Sequence, residues 1–448
     1  MAAPDGVAAL AGSVRARVEL PAGPLLVALS GGADSAVLAW AAAESSAAVR
    51  GVFVDHGLAA SGQLREAAVA VAGVLGMDLQ VVEAPVARDT PSFEATARDA
   101  RYAALQAAAR PDEFILTGHT ADDQAETVLG NFLRGAGAGG LAGIPARRGR
   151  IARPLLTISR RQTRRLAGLL ELPYFDDPDN VAGDVRRNRL RSELIPLLEE
   201  TYNPQFRTAL LRSSAVVAAD DAVLEAAAAQ VPIRADGEVV AMPAAALAVV
   251  PAAVAARVVR RALRYMRGPH GGTHDEVAAV LEVAAGVRAG AELMGAVRVE
   301  REGPMVVLSA ADLAAGTPQQ VEVPSVVAFD RWRVHLTEQS QAPIPRPLGA
   351  ATLTLDADQA GDALVLRPLR PDDRIDIGTG SKLVTEALAE RGVPRRLRAR
   401  WPLVSVGERV LVIPGVRAAA WAWPSSGTMR YLVARIGISG SDSTAEGI

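Results

Sequence analysis

The sequence predicts an α/β class: an N-terminal doubly wound parallel sheet, then a mainly helical middle domain and a small α+β C-terminal domain. Three observations carry this reading. Short apolar runs of strand length alternate with amphipathic stretches of helix length through the first third of the chain. A Gly-Gly pair stands where the first of those runs passes into a helical pattern. After Tyr202-Asn203-Pro204 an Ala-rich helical pattern takes over, and short strands return beyond a stretch with three prolines, Ser340–Pro347.

Taken in order, Leu25–Leu29, Gly51–Val54, Leu79–Val82 and Phe114–Thr117 read as buried parallel strands. Asp34–Glu44, Gln63–Leu75 and Phe93–Ala109 read as the helices between them, and Ala121–Leu133 follows the last strand. Such β-α repeats place ligands at the carboxyl ends of the strands. Arg134–Gly143 reads as a glycine-rich loop, and helical patterning resumes at Ser159–Leu170 and Asn188–Glu199. Phe206 to Val287 reads as all helix. Val297–Leu308 and Val321–Thr337 read as strands of a small sheet in the same middle domain. Beyond the prolines, short strands surround one helix, Ser381–Arg391. The expected division is 1–215, 216–340, a linker at 341–350, 351–438, and a disordered tail at 439–448.

Composition bounds the function. A chain of 448 residues holds two or three domains, and half of the residues are apolar, so it folds. The longest apolar stretch, Met242 to Ala256, contains Pro251 and is shorter than the roughly 20 residues a membrane span needs. No basic segment leads into an apolar one at the N-terminus, so a cytoplasmic location and no membrane partner are expected. The absence of cysteine excludes disulfides, thiolate metal sites, iron–sulfur clusters and cysteine nucleophiles. The formal net charge is only −2, yet arginines cluster around 147–165, at 186–191 and at 395–400. Three such clusters in a near-neutral chain point toward a polyanion partner, although a charge run can equally be a solvated face.

The chemistry concentrates in two motifs. In Ser30-Gly31-Gly32-Ala33-Asp34-Ser35, the glycines allow a tight turn that presents backbone N–H groups, and the helix that follows adds its positive end. Ser30 and Ser35 can donate to phosphate; Asp34 cannot, but a magnesium ion between them would reconcile the charges. A plain βα turn with Asp34 as helix cap is the bland alternative. The Walker pattern is absent. The second motif, Gly118-His119-Thr120-Ala121-Asp122-Asp123-Gln124-Ala125-Glu126-Thr127, puts Asp123 and Glu126 on one helix face beyond the end of a strand. That pair suits an ammonium group or the deprotonation of an amine, though acids in a first turn often only serve the helix dipole.

The six-residue loop resembles the PP-loop of the N-type ATP pyrophosphatases, which split ATP between its α and β phosphates and form an adenylate. With the second motif, the sequence is similar to the tRNA(Ile)-lysidine synthases. The similarity continues in Val54-Asp55-His56-Gly57-Leu58, Ala97-Arg98, Arg101-Tyr102 and Leu133-Arg134-Gly135. It includes Gly139–Gly143, Arg153-Pro154-Leu155, Asp177 with Asn180, and Arg187-Asn188-Arg189-Leu190-Arg191. Near the C-terminus it takes in Arg367-Pro368, Asp373-Arg374, Lys382, Pro394, Trp401-Pro402 and Pro414-Gly415. Thr120 stands where the family often has a second His, and Leu369 where it often has Gly. The middle of the chain is matched mainly by its helical character.

The resemblance implies a ligase that adenylates the wobble cytidine of a tRNA(Ile) with a CAU anticodon and then joins L-lysine through its ε-amino group. It implies Ser30 to Ser35 for ATP, Asp34 for magnesium, and Asp123 and Glu126 for lysine. Arg98 and His119 would steady charge, and Gly135–Gly143 would form a mobile flap over the base. The basic residues Arg134, Arg187, Arg191, Arg395, Arg396 and Arg398, with Asn188, would contact tRNA. A homodimer is compatible with the sequence but not read from it. Two other readings stay open within the superfamily, a tRNA thiolase and an ammonia-dependent synthetase; a third is a non-catalytic nucleotide- or RNA-binding protein. The missing cysteine argues against the thiolase, whose sulfur passes through cysteine or a cluster.

Overall fold

The structure is a computed structural model that describes residues 4–45, 48–86, 93–176, 185–236, 239–268, 271–310, 316–341 and 352–438. Asp177, Asn180, nearly all of the expected linker and the expected tail lie outside the described residues. The chain divides into two compact units, Met1–Glu225 and Ala226–Ile448.

In the first unit, β1 (Leu25–Ala28), β2 (Val49–Asp55), β3 (Asp78–Glu83) and β4 (Phe114–Leu116) form the expected parallel sheet. Its order is β3-β2-β1-β4-β6-β5, with β5 (Arg147–Arg148) and β6 (Ile151–Ala152) added beside β4. Leu25 lies opposite Val49 on one side and Phe114 on the other. Leu25, Leu26 and Val27 are fully buried because both faces of the sheet are covered, which is why β1 reads as an unbroken apolar run. On one face α2 (Ala33–Ala43) packs through Val37 and Ala41, together with Val14 of α1 (Pro4–Arg15) and Leu166 of the helix Arg160–Leu169. On the other, Leu105 of the helix Phe93–Ala108 meets Leu26, Val52 and Ile115. Strand order reverses between β1 and β4, and the crevice at such a switch point is where open α/β sheets bind ligands. The helix Pro4–Arg15 and the β5–β6 hairpin carry too little pattern to read from sequence. The glycine-rich segment is not wholly loop, since Ala138–Leu141 closes one helical turn.

The second unit departs further from expectation. Phe206–Val287 is not all helix: β7 (Arg234–Asp236) and β8 (Val239–Pro243) interrupt it. The expected strand Val297–Leu308 is a hairpin, β10 (Val297–Glu302) and β11 (Met305–Ala310), and the sheet runs β7-β8-β11-β10-β9, where β9 is Gly290–Leu293. Alternation in Val239–Pro243 buries Val240 and Met242 on one face, a period-2 signal masked by the alanines around it. The strands at 319–339, assigned above to the middle domain, pair instead with strands beyond the prolines. Gln319–Val321 pairs with Leu364–Pro368, and Trp332–Gln339 with Tyr431–Ile438. The expected helix Ser381–Arg391 begins as a strand, Ser381–Leu383, before Val384–Glu390 coils. Trp332 and Trp401 pack with ring centroids 4.6 Å apart and planes tilted by 52°, and Trp401 Nε1 donates to Pro414 O at 3.1 Å.

Candidate active site

The loop between β1 and α2 depends on glycine for two reasons. Gly31 has φ +84°, and a Cβ there would fall 2.2 Å from the carbonyl oxygen of Leu64. Ser35 is buried and holds the loop from inside, accepting from Ser30 N at 3.1 Å and donating to Gly32 O at 2.9 Å. Ser30 Oγ donates to Ser35 Oγ at 3.1 Å. Of the two hydroxyls expected to meet phosphate, Ser35 therefore shapes the loop, while Ser30 stands exposed. Gly32 caps α2 in extended conformation, and Ala33 and Asp34 occupy its first turn.

The second motif lies against this loop. A Cβ at Gly118 would come within 3.2 Å of Ser35 N, so the ends of β1 and β4 are in contact. Asp123 Oδ2 accepts the backbone N–H of Thr120 at 2.8 Å and its hydroxyl at 2.9 Å, closing the start of α5 (Ala121–Leu133). The capping role is thus real, but it uses one oxygen only. Asp123 Oδ1 faces Arg160 Nη2 at 3.0 Å and Arg187 Nη2 at 2.9 Å. Glu126, whose side chain is 2% exposed, accepts from Arg187 Nε at 2.7 Å and from Arg191 Nε at 2.6 Å. Burial works to raise Asp123, but Arg160, the Thr120 amide and Arg187 outweigh it and hold its carboxyl below the ordinary range. Asp34 goes the other way: burial pushes it up, against a hydrogen bond from Thr163 and the charge of Arg160.

His119 Nδ1 lies 3.0 Å from Thr117 Oγ1. Burial lowers its pKa to about 4, opposed by Asp123 and helped by Arg153, Arg101 and Arg98, so the ring is neutral near pH 7. Arg98 sits over the Tyr102 ring, 5.7 Å from its centroid, and Tyr102 OH accepts from buried Arg153 at 3.2 Å. The segment after α5 is pinned to it. Gln124 Oε1 accepts Ile144 N at 2.6 Å, Asn131 Nδ2 donates to Gly140 O at 2.7 Å, and a Cβ at Gly143 would strike Gln124 at 2.6 Å. Asn131 and Gln124 thus tie the 140–144 end of the expected flap to α5.

Three residues expected on tRNA are paired with carboxylates in this fold. Arg187 and Arg191 neutralise the acidic pair, and Arg396 forms a two-point contact with Glu302, Nε to Oε1 at 2.8 Å and Nη2 to Oε2 at 3.2 Å. A basic run read in one dimension cannot show which carboxylate folds back onto it. Arg134 is exposed and donates to Asn131 Oδ1 at 2.6 Å, Asn188 is half-buried, Arg395 is exposed, and Arg398 donates from Nε to Val393 O at 2.9 Å. Two residues were missed, Arg160 and Thr163. Both hold Asp34 from a helix more than a hundred residues away in sequence; their one local sign is the capping box of Ser159 and Gln162.

The Ser30–Ser35 loop and the Asp123–Glu126 pair thus belong to one site, joined by Arg160, which faces Asp34, Asp123 and Glu126. Comparison with known proteins identifies the family. Residues 12–198 match the model of the PP-loop domain, and residues 364–430 that of the TilS substrate C-terminal domain. The chain is 43% identical over 236 residues to the tRNA(Ile)-lysidine synthase of Nocardia farcinica, covering 52% of this chain and 73% of that one. It is 32% identical over 406 residues to that of Thermus thermophilus, covering 88% of this chain and 69% of the relative. The paired motifs, the two matched domains and a similarity that runs nearly the whole length place this chain in the tRNA(Ile)-lysidine synthase family.

Proposed function

We propose that the chain uses ATP to adenylate O2 of the wobble cytidine in a tRNA(Ile) with a CAU anticodon and then joins free L-lysine to C2. The products are lysidine, AMP and pyrophosphate. The observation that carries this reading is the packing of Gly118, at the head of the second motif, against Ser35 of the phosphate loop, with Arg160 facing Asp34, Asp123 and Glu126 together, in a chain of this family. Oxygen O2 cannot leave cytosine unaided; bonded to phosphorus it leaves as AMP. The backbone N–H groups at Gly31 to Asp34 and the start of α2 take the phosphates. Asp123 and Glu126 take the ε-ammonium, replacing guanidinium partners they already hold. Asp123, kept below the usual carboxylate range, suits ionic binding of the ammonium better than uptake of its proton. Neutral His119 can donate or accept a hydrogen bond beside the reacting groups without adding charge.

Magnesium fits one residue. Among the described residues no cluster of three metal-ligating side chains exists, and magnesium bound through nucleotide phosphates needs only one or two carboxylates. Asp34, at the phosphate loop, would hold it, and the ion would neutralise phosphate charge. Arg134, Asn188, Arg395 and Arg398 are the tRNA contacts this reading retains. Among the described residues no helix is long and apolar enough to cross a membrane. The reading places the enzyme in the cytoplasm with its tRNA, ATP and lysine, and it is indifferent to homodimer formation.

The test is mass spectrometry of nucleosides after incubation with tRNA(Ile) bearing a CAU anticodon, ATP and lysine. A cytidine that has gained lysine and lost water is expected at the wobble position. An unmodified wobble base under those conditions would refute the assignment.

A further inference from the structure

Arg160 opens the helix Arg160–Leu169, and its guanidinium meets three carboxylates drawn from both motifs. Nε lies 3.5 Å from Asp34 Oδ2, Nη2 lies 3.0 Å from Asp123 Oδ1, and Nη1 lies 3.6 Å from Glu126 Oε1. Each nitrogen of the planar fork faces a different acid, an arrangement a lysine ammonium cannot copy. The backbone beneath it is also held. Arg160 N donates to Asp122 Oδ2 at 2.7 Å, and Asp122 Oδ1 accepts Arg207 Nη1 at 2.7 Å. The Arg160 side chain is 22% exposed, so its principal neighbours are these acids rather than bulk water.

We propose that Arg160 is a positioning residue that fixes the distance between the adenylating and amine-binding halves of the site, with Asp122 and Arg207 holding its backbone in place. This rests on the function proposed above. Its consequence is coupling between the two steps. In the first, O2 of the cytidine bonds to the α-phosphorus and pyrophosphate leaves. In the productive second step the amine nitrogen bonds to C2, the C2–O bond breaks, AMP leaves with the bond's electrons and the proton lost from the amine passes to solvent water. In the competing step water attacks C2, AMP leaves, the water's protons are released and the cytidine is regenerated. Whichever nucleophile is held at bonding distance wins, and misplacement of about 1 Å costs on the order of 100-fold in rate.

The experiment measures pyrophosphate released and lysine joined in the same reaction, for the parent enzyme and for Arg160→Lys, Arg160→Gln and Arg207→Met. The parent should release one pyrophosphate per lysine joined. In the Arg160 variants lysine joining should fall on the order of 10- to 100-fold while pyrophosphate release falls much less, so the ratio climbs well above one. Affinity for tRNA should be unchanged, and the variants, though less stable, should remain folded at the assay temperature. Arg207→Met should shift the ratio in the same direction by a smaller factor. A ratio that stays at one in folded Arg160 variants overturns the proposal. If those variants do not fold, a ratio of one in Arg207→Met overturns it. A parent enzyme that releases no pyrophosphate with tRNA and lysine would instead refute the function on which the proposal rests.

Discussion

Replacing Glu126 by Gln separates lysine binding from everything else the site does. The side chain is 2% exposed and its oxygens lie 2.6 and 2.7 Å from Arg191 and Arg187. Gln preserves the volume and one acceptor oxygen but removes the charge. A hydrogen bond to a charged group contributes about 1.5–3 kcal/mol, so loss of the contact to the ε-ammonium raises the lysine requirement about 10- to 150-fold. The fold should lose far less. Of the three guanidiniums left behind, Arg187 and Arg191 are 40% and 34% exposed and Arg160, 22% exposed, keeps Asp123, so water and that carboxylate take over part of the loss and the cost stays at about 1 kcal/mol. The ATP requirement should move less than about threefold, because Glu126 does not touch the phosphate loop directly. The assay is lysine incorporation into tRNA, titrated with lysine at saturating ATP and with ATP at saturating lysine. An equal rise in both requirements, or an unchanged lysine requirement, would refute the assignment of this carboxylate to the amine.

Asp34→Asn should reduce tRNA-dependent pyrophosphate release at least about 100-fold with the fold intact, as expected when a charge acting at the phosphates is removed; turnover within a few fold of the parent excludes the site. Arg395→Ala should weaken tRNA binding and flatten the dependence of log affinity on log salt by about one unit, read from a salt series, because each phosphate contact releases counterions. An unchanged slope would make Arg395 an ordinary surface residue. Arg367 and Asp373 form a buried two-point ion pair, both contacts at 2.7 Å, so Arg367→Met should cost the second unit about 3–5 kcal/mol in denaturant unfolding. Burial raises Asp373, but Arg367 and the Arg370 amide win and lower it. The stability it contributes is therefore present above the unfolded-state carboxylate pKa and lost as pH falls through the lower folded value. His119 has the opposite charge logic: its folded pKa of about 4 lies below the ordinary 6.5, so stability should fall as pH drops between those values, and His119→Gln should flatten that part of the profile.

The sequence by itself determined the elements whose signals are local. The strands around Leu25–Ala28, Val49–Asp55 and Phe114–Leu116 are buried on both faces, and such strands announce themselves as apolar runs. Gly31 was legible because a positive φ at a strand–helix turn leaves few other residues, and Asp123 and Glu126 because helical spacing alone puts them on one face. Strand partners were not legible. Trp332–Gln339 looks the same in sequence whether it pairs within the middle region or, as it does, with Tyr431–Ile438 nearly a hundred residues later. Cutting the chain at the prolines would therefore strip those strands of their ladder, a poor way to isolate the C-terminal domain. The partners of the arginines were equally hidden. Arg187, Arg191 and Arg396 read as a surface for polyanions, yet the fold turns each onto a carboxylate, and it brings Arg160 and Thr163 onto Asp34. Helix spacing and turn chemistry are set within a few residues along the chain, whereas an ion pair is set by which surfaces the core presses together, and only the tertiary structure decides that.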